Sequence, residues 1–141
     1  DWREPGLGGL VTPILPASAA WQASNTDSFW GPSLHYNTYL NRYVMLLSRS
    51  CCGERWPQEG IYAGFNADVG NPEGWSAPKK IIDNVGFGPG WYPQVIGLEE
   101  GETDTVAGRK ARLYIHGISR WTVEFEQEPA LARRPRRPPP Q

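Results

Sequence analysis

The chain has 141 residues, with 14 Lys and Arg against 15 Asp and Glu and a formal net charge of −1. That length sets one domain with room for a core, and 16 Gly, 14 Pro and 7 Trp suit tight turns and aromatic contacts rather than long helices. No apolar run reaches the roughly 18 residues of a membrane-spanning helix, so no membrane partner is expected. The segment 129–141 carries Arg133, Arg134, Arg136 and Arg137 and no acid; removing these four leaves ten bases against 15 acids. An acidic body excludes nucleic acid as the main partner.

Residues 1–29 read as irregular or as the end of a preceding unit. Gly6-Leu7-Gly8-Gly9 forms a turn there, and 10–15 is a short edge strand bounded by Pro13 and Pro16. A first strand is predicted over 30–37, a hairpin turn over 37–41 and a second strand over 42–49. The loop Ser50–Gln58 holds Cys51 and Cys52. Adjacent cysteines rarely bridge each other and lack the second pair of a zinc site, so they read as two thiols in a loop that leave the redox compartment open. A third strand comes next over 59–66, turn chemistry over 68–74 and a fourth strand over 75–82. Gly86-Phe87-Gly88-Pro89-Gly90 is a turn between units, since it leads into a strand and not the helix N-terminus that phosphate binding uses. Further strands are expected over 91–97, 111–117 and 121–126, the last alternating apolar and polar. The loop 98–110 between the first two of these is acidic and reads as exposed. Five prolines in 129–141 predict a disordered tail.

The feature that organises these elements is a repeat. Trp30-Gly31-Pro32-Ser33-Leu34 and Trp91-Tyr92-Pro93-Gln94-Val95 both read Trp-x-Pro-x-(Leu/Val), 61 residues apart. Trp2-Arg3-Glu4-Pro5 and Trp75-Ser76-Ala77-Pro78 both read Trp-x-x-Pro. Short strands repeated at a long period indicate stacked units that share a core. The expected fold is all-β, with antiparallel β-propeller-like blades: a complete one over 30–82 and a partial one over 91–128. A closed propeller needs about four blades or more. Two therefore imply a piece of something larger, completed by missing blades of the same chain; a first residue other than Met agrees with that and equally with a mature or trimmed chain.

The run Trp30–Asn37, then Arg42–Leu47, Gly60–Ala63, Asn66–Asp68 and Trp75–Pro78 resembles five-bladed propeller glycosidases of the arabinanase and β-xylosidase type and their uncharacterised relatives. The matching segments span about residues 28–120. Asn66 stands near the place where that pattern carries Ser. The resemblance implies a glycoside-hydrolase-like protein and a polysaccharide partner; the compartment stays open, a secreted or extracytoplasmic one being favoured over others. Those enzymes draw catalytic carboxylates from several blades, so two blades imply an incomplete active site. The alternative is a non-catalytic propeller module that binds a glycan or a protein.

In a blade, the start of the first strand and the loop between the second and third lie on the ligand face. That sorting gathers Asp27, Arg49, Glu54, Arg55, Glu59, Asp83, Trp91, Tyr92 and His116 there and sends 38–41, 67–74 and 98–110 to the other end. Glycoside hydrolysis uses two carboxyls across the scissile bond, and Glu59 and Asp27 are the candidates. Trp30, Arg49, Trp91, Tyr92 and His116 are the candidate substrate contacts, an indole face being a flat apolar platform for the C–H face of a pyranose. His35 and His116 lie far apart without clustered acids, so no metal is expected. No nucleotide or dinucleotide fingerprint occurs and no cofactor is expected.

Overall fold

The computed structural model describes residues 12–18, 24–83 and 90–128. The Gly6–Gly9 turn, most of the glycine-rich linker and the 129–141 tail lie outside the described residues.

The described chain is all-β, as expected, with two curled sheets and one short 3-10 turn. The first sheet is the antiparallel meander β1 (Thr26–Asn37), β2 (Arg42–Gly53), β3 (Gln58–Asn66) and β4 (Lys79–Asp83). The second consists of β5 (Pro93–Gly97), β7 (Lys110–Ile115) and β8 (Ile118–Glu124), again antiparallel. The predicted order of strands holds, and several boundaries move. β1 begins at Thr26, and β2 runs through both cysteines, because bulges at Thr26/Asp27 and Trp30/Ser33 let the ladder resume past an irregularity. The expected fourth strand starts late. Pro72–Gly74 forms the 3-10 turn, capped by the Asn71 side chain, and Trp75–Pro78 is not strand. The expected strand over 10–15 is not seen among its described residues, 12–15. Pro13 and Pro16 lack the N–H that a ladder needs.

The loop 98–110 is the larger correction. Its acidity predicts exposure, yet β6 (Val106–Ala107) pairs parallel with Tyr36 and Asn37 as a fifth strand of the first sheet. Ala107 is fully buried. Asn37, also fully buried, binds this segment: its amide donates to the Gly108 carbonyl at 2.8 Å and accepts from the Leu40 N–H at 2.8 Å. Glu102 accepts from the Leu98 and Glu99 N–H groups at 2.9 and 3.1 Å and shapes the turn. Local acidity there serves backbone capping rather than solvation alone.

One core joins the two sheets. Val44, Leu46, Ile61 and Ala63 of the first meet Val95, Ala111, Leu113 and Ile115 of the second. Val44 and Leu46 of β2 point into it, and Ser48 and Ser50 continue that row, fully buried, toward the β1 start. This alternation sorts the functional candidates, because neighbouring residues of β1 and β2 project from opposite faces.

Candidate functional site

The two copies of the Trp-x-Pro repeat meet in space. Trp30 and Trp91 lie with ring centroids 4.4 Å apart. The middle residue of each copy is left-handed, Gly31 at φ 60° and Tyr92 at φ 57°. Gly31 adopts this cheaply; Tyr92 does so against the usual cost for a residue with a Cβ. The reason for the glycine is contact as well as conformation. A Cβ on Gly31 would stand 3.2 Å from Cδ1 of Tyr92, whose ring packs over that place.

Trp56 completes the group from the β2–β3 loop, edge-on to Trp30 at 6.3 Å. Arg55 and Trp56 are both left-handed there, at φ 64° and 52°. Trp30, Trp56 and Trp91 line a shallow, almost wholly apolar hollow of about 430 Å³. Its surroundings hold the Trp30 indole and the backbone beside Trp56 and Trp91. The Trp30 indole N–H donates to the Ser50 hydroxyl at 2.9 Å, the Gln58 amide donates to the Gly90 carbonyl at 3.2 Å, and the His116 N–H donates to the Trp91 carbonyl at 2.7 Å. His116 is itself left-handed at φ 50° and exposed. Among the described residues, four of the five non-glycine positions at positive φ are therefore a wall residue of this hollow (Trp56), its chain neighbour (Arg55, Tyr92) or hydrogen-bonded to one (His116), Asn41 being the exception. Strained backbone of this kind concentrates where a ligand is held. Tyr92, edge-on to Trp30 with ring centroids 5.5 Å apart, is 57% exposed.

The charged candidates gather at the same end of the first sheet but on its other face. Arg49 grips Asp27 through Nε and Nη2 at 3.0 and 3.2 Å, and its Nη1 lies 3.6 Å from Glu59. The same guanidinium reaches the Tyr62 hydroxyl at 3.1 Å and lies over the rings of Phe29 and Tyr62. Tyr62 donates to Glu59 at 2.6 Å, and Lys80 is bonded to Glu59 and paired with Asp83 at 3.1 Å. Burial raises the Glu59 pKa, but hydrogen bonds from Lys80 and Tyr62 and the charges of Lys80 and Arg49 outweigh it, and the net shift is downward. Hydrogen bonds to Asp27 and Tyr62 push Arg49 up, and those to Glu59 and Asp83 push Lys80 up. A group held ionised in this way is a poor proton donor.

The predicted site residues thus fall into two groups. Asp27, Arg49 and Glu59 come together, with the Arg49 guanidinium between the two carboxylates. Trp30, Trp91, Tyr92 and the backbone of His116 come together separately. Phe29 and Asp27 project with Arg49 from one sheet face, whereas Trp30 projects with Ser48 and Ser50 from the other, as their pairing register requires. Glu54 and Arg55 lie exposed in the β2–β3 loop. Trp56, Tyr62 and Lys80 are not among the predicted site residues. The Trp56-Pro57 pair in a loop facing Trp30 was the available signal for the first; nothing in a linear reading marks the other two.

Cys51 and Cys52 differ most from expectation. They are not loop thiols. They end β2 and are joined to each other in a disulfide. Cys51 pairs in register with Asp27, and Arg49 Nη2 lies 3.6 Å from its sulfur.

No family model matches the chain, and no curated protein or solved structure shows a significant match to it.

Proposed function

We propose that this chain forms blades of a carbohydrate-binding propeller related to the arabinanase and β-xylosidase type, and that it binds sugar rather than cleaving it. The observation that carries the reading is the hollow walled by Trp30, Trp56 and Trp91, with the exposed Tyr92 ring edge-on to Trp30. Three indoles held at fixed angles offer apolar platforms to the C–H faces of pyranose or furanose rings. The low polarity of the lining and the hydrogen bond that holds the Trp30 indole suit stacking with little ordering cost on binding.

The charged cluster supports binding over hydrolysis. A glycosidase leaves room between its two carboxyls for the scissile bond and keeps one of them protonated. Here Arg49 stands between Asp27 and Glu59, and Glu59 is held below its ordinary pKa. Both groups therefore act as partners of a structural cation.

The test is a thermal melt of the chain monitored by Trp fluorescence, against a panel of oligosaccharides. A ligand that binds only the native state raises the midpoint. We expect at least one glycan to do so, Trp91→Ala to abolish the shift, and Asp27→Asn with Glu59→Gln to leave the shift in place. Release of reducing sugar that is lost in Glu59→Gln would refute binding without cleavage. A panel with no shift at all would refute the sugar site.

A further inference from the structure

We propose that the hollow of Trp30, Trp56 and Trp91 also receives a quaternary ammonium head of the trimethylammonium type. An indole face is negative in its quadrupole and attracts a cation within about 6 Å of the ring centroid, more strongly than the rings of Tyr and Phe do. Trp30 and Trp56 stand at 87° with centroids 6.3 Å apart and so form a corner. Trp91 lies against Trp30 at 4.4 Å and 51°. A cation seated in the corner comes within reach of more than one ring at once. The hollow, about 430 Å³ and shallow, has room for such a head and leaves the rest of the ligand in solvent.

Two observations select this class of cation. The lining is almost wholly apolar, and the Trp30 indole N–H is already spent on the Ser50 hydroxyl at 2.9 Å. A lysine-like ammonium brings three N–H donors that would be stripped of water there without a partner. A quaternary head has no donor and spreads its charge over methyl C–H groups. The second observation is where the chain's own cations lie. Arg49 is over Phe29 and Tyr62, Lys80 over Tyr62 and Arg109 over Tyr39. Among the described residues, no Lys or Arg lies over Trp30, Trp56 or Trp91. The balance of ten bases against 15 acids, with the four arginines of 129–141 set aside, adds a longer-range attraction for a cation.

The inference goes beyond the sugar reading and does not rest on it. Both ligands meet the indoles through C–H groups of partial positive charge, and the N-methyl groups carry more of it.

The experiment titrates the whole chain with choline, read by Trp fluorescence. A second titration, at matched ionic strength, uses 3,3-dimethyl-1-butanol, which has the same shape with carbon in place of the charged nitrogen. We expect saturable binding of choline, binding of the neutral alcohol weaker by about tenfold or more, and loss of choline binding in Trp56→Ala. Equal affinity for the alcohol would overturn the proposal, because the hollow would then be hydrophobic and nothing more. Unchanged choline binding in Trp56→Ala, or no choline binding by the unaltered chain, would overturn it too. The comparison of choline with the alcohol uses the unaltered chain and holds even if Trp56→Ala does not fold. Choline binding beside a glycan panel without a shift refutes the sugar site alone; a glycan shift without choline binding refutes the cation site alone.

Discussion

His35 sets the acid limit of this fold. It is 2% exposed on β1, its Nε2 has no hydrogen-bond partner, and its ring lies 5.6 Å from Phe125. Burial lowers its pKa from 6.5 to about 4. The neutral ring is therefore the native form, and the unfolded chain binds the extra proton between these two values. Its contribution to stability is fully present above the unfolded pKa and is lost as pH falls through that window. The full shift corresponds to about 3 kcal/mol, of which about 2.5 kcal/mol disappears between pH of about 7.5 and about 4.5. The assay is urea unfolding by Trp fluorescence across this range, for the natural chain and for His35→Gln, which cannot titrate. Glu59 adds acid sensitivity of the same sign, because its pKa is also lowered, and it does so equally in both proteins. The difference between the two pH profiles isolates His35. Parallel profiles would refute the argument and would mean that the ring is solvated or paired in solution.

Arg49→Met keeps the aliphatic stem and removes the cation between Asp27 and Glu59; with the Arg49 side chain 26% exposed, the loss should fall between surface and buried pairs, about 1–3 kcal/mol by chemical denaturation. A loss that vanishes in high salt would show the pair to be a surface one. Gly31→Ala must hold φ at 60° and push the Tyr92 ring from a 3.2 Å contact, so a fall in stability of about 1–2 kcal/mol is expected in the same assay. Asn37→Ala orphans the Gly108 carbonyl and the Leu40 N–H; about 2–4 kcal/mol should be lost, with faster amide exchange in 98–110 as the local signature.

Much of the fold was legible because strand alternation and turn residues are local signals. Tyr43–Leu47, Gly60–Phe65 and Ala111–Ile115 are apolar runs bounded by Gly, Asn and Asp, and each is a strand. The Trp-x-Pro repeat was informative for a reason that no linear reading contains. Both copies place a left-handed residue between Trp and Pro, and the two tryptophans touch. Parallel pairing of Val106–Ala107 was not legible, since two residues in an acidic loop carry no periodicity. The separation of the charged and aromatic candidates onto opposite faces was hidden for a related reason. Both groups come from the same strand ends, and a pair of bulges decides which neighbour points where. The cations that occupy Asp27 and Glu59 come from β2 and β4, at sequence distances that no motif records.

The central claim is that the hollow between the Trp-x-Pro copies receives a sugar. Its most direct test is NMR of the indole N–H signals while an oligosaccharide that raises the melting midpoint is added. The account expects the Trp30, Trp56 and Trp91 signals to move together and saturably, with Trp75 and Trp121 unmoved. Stationary signals for those three, or movement led by Trp75 or Trp121, would contradict it.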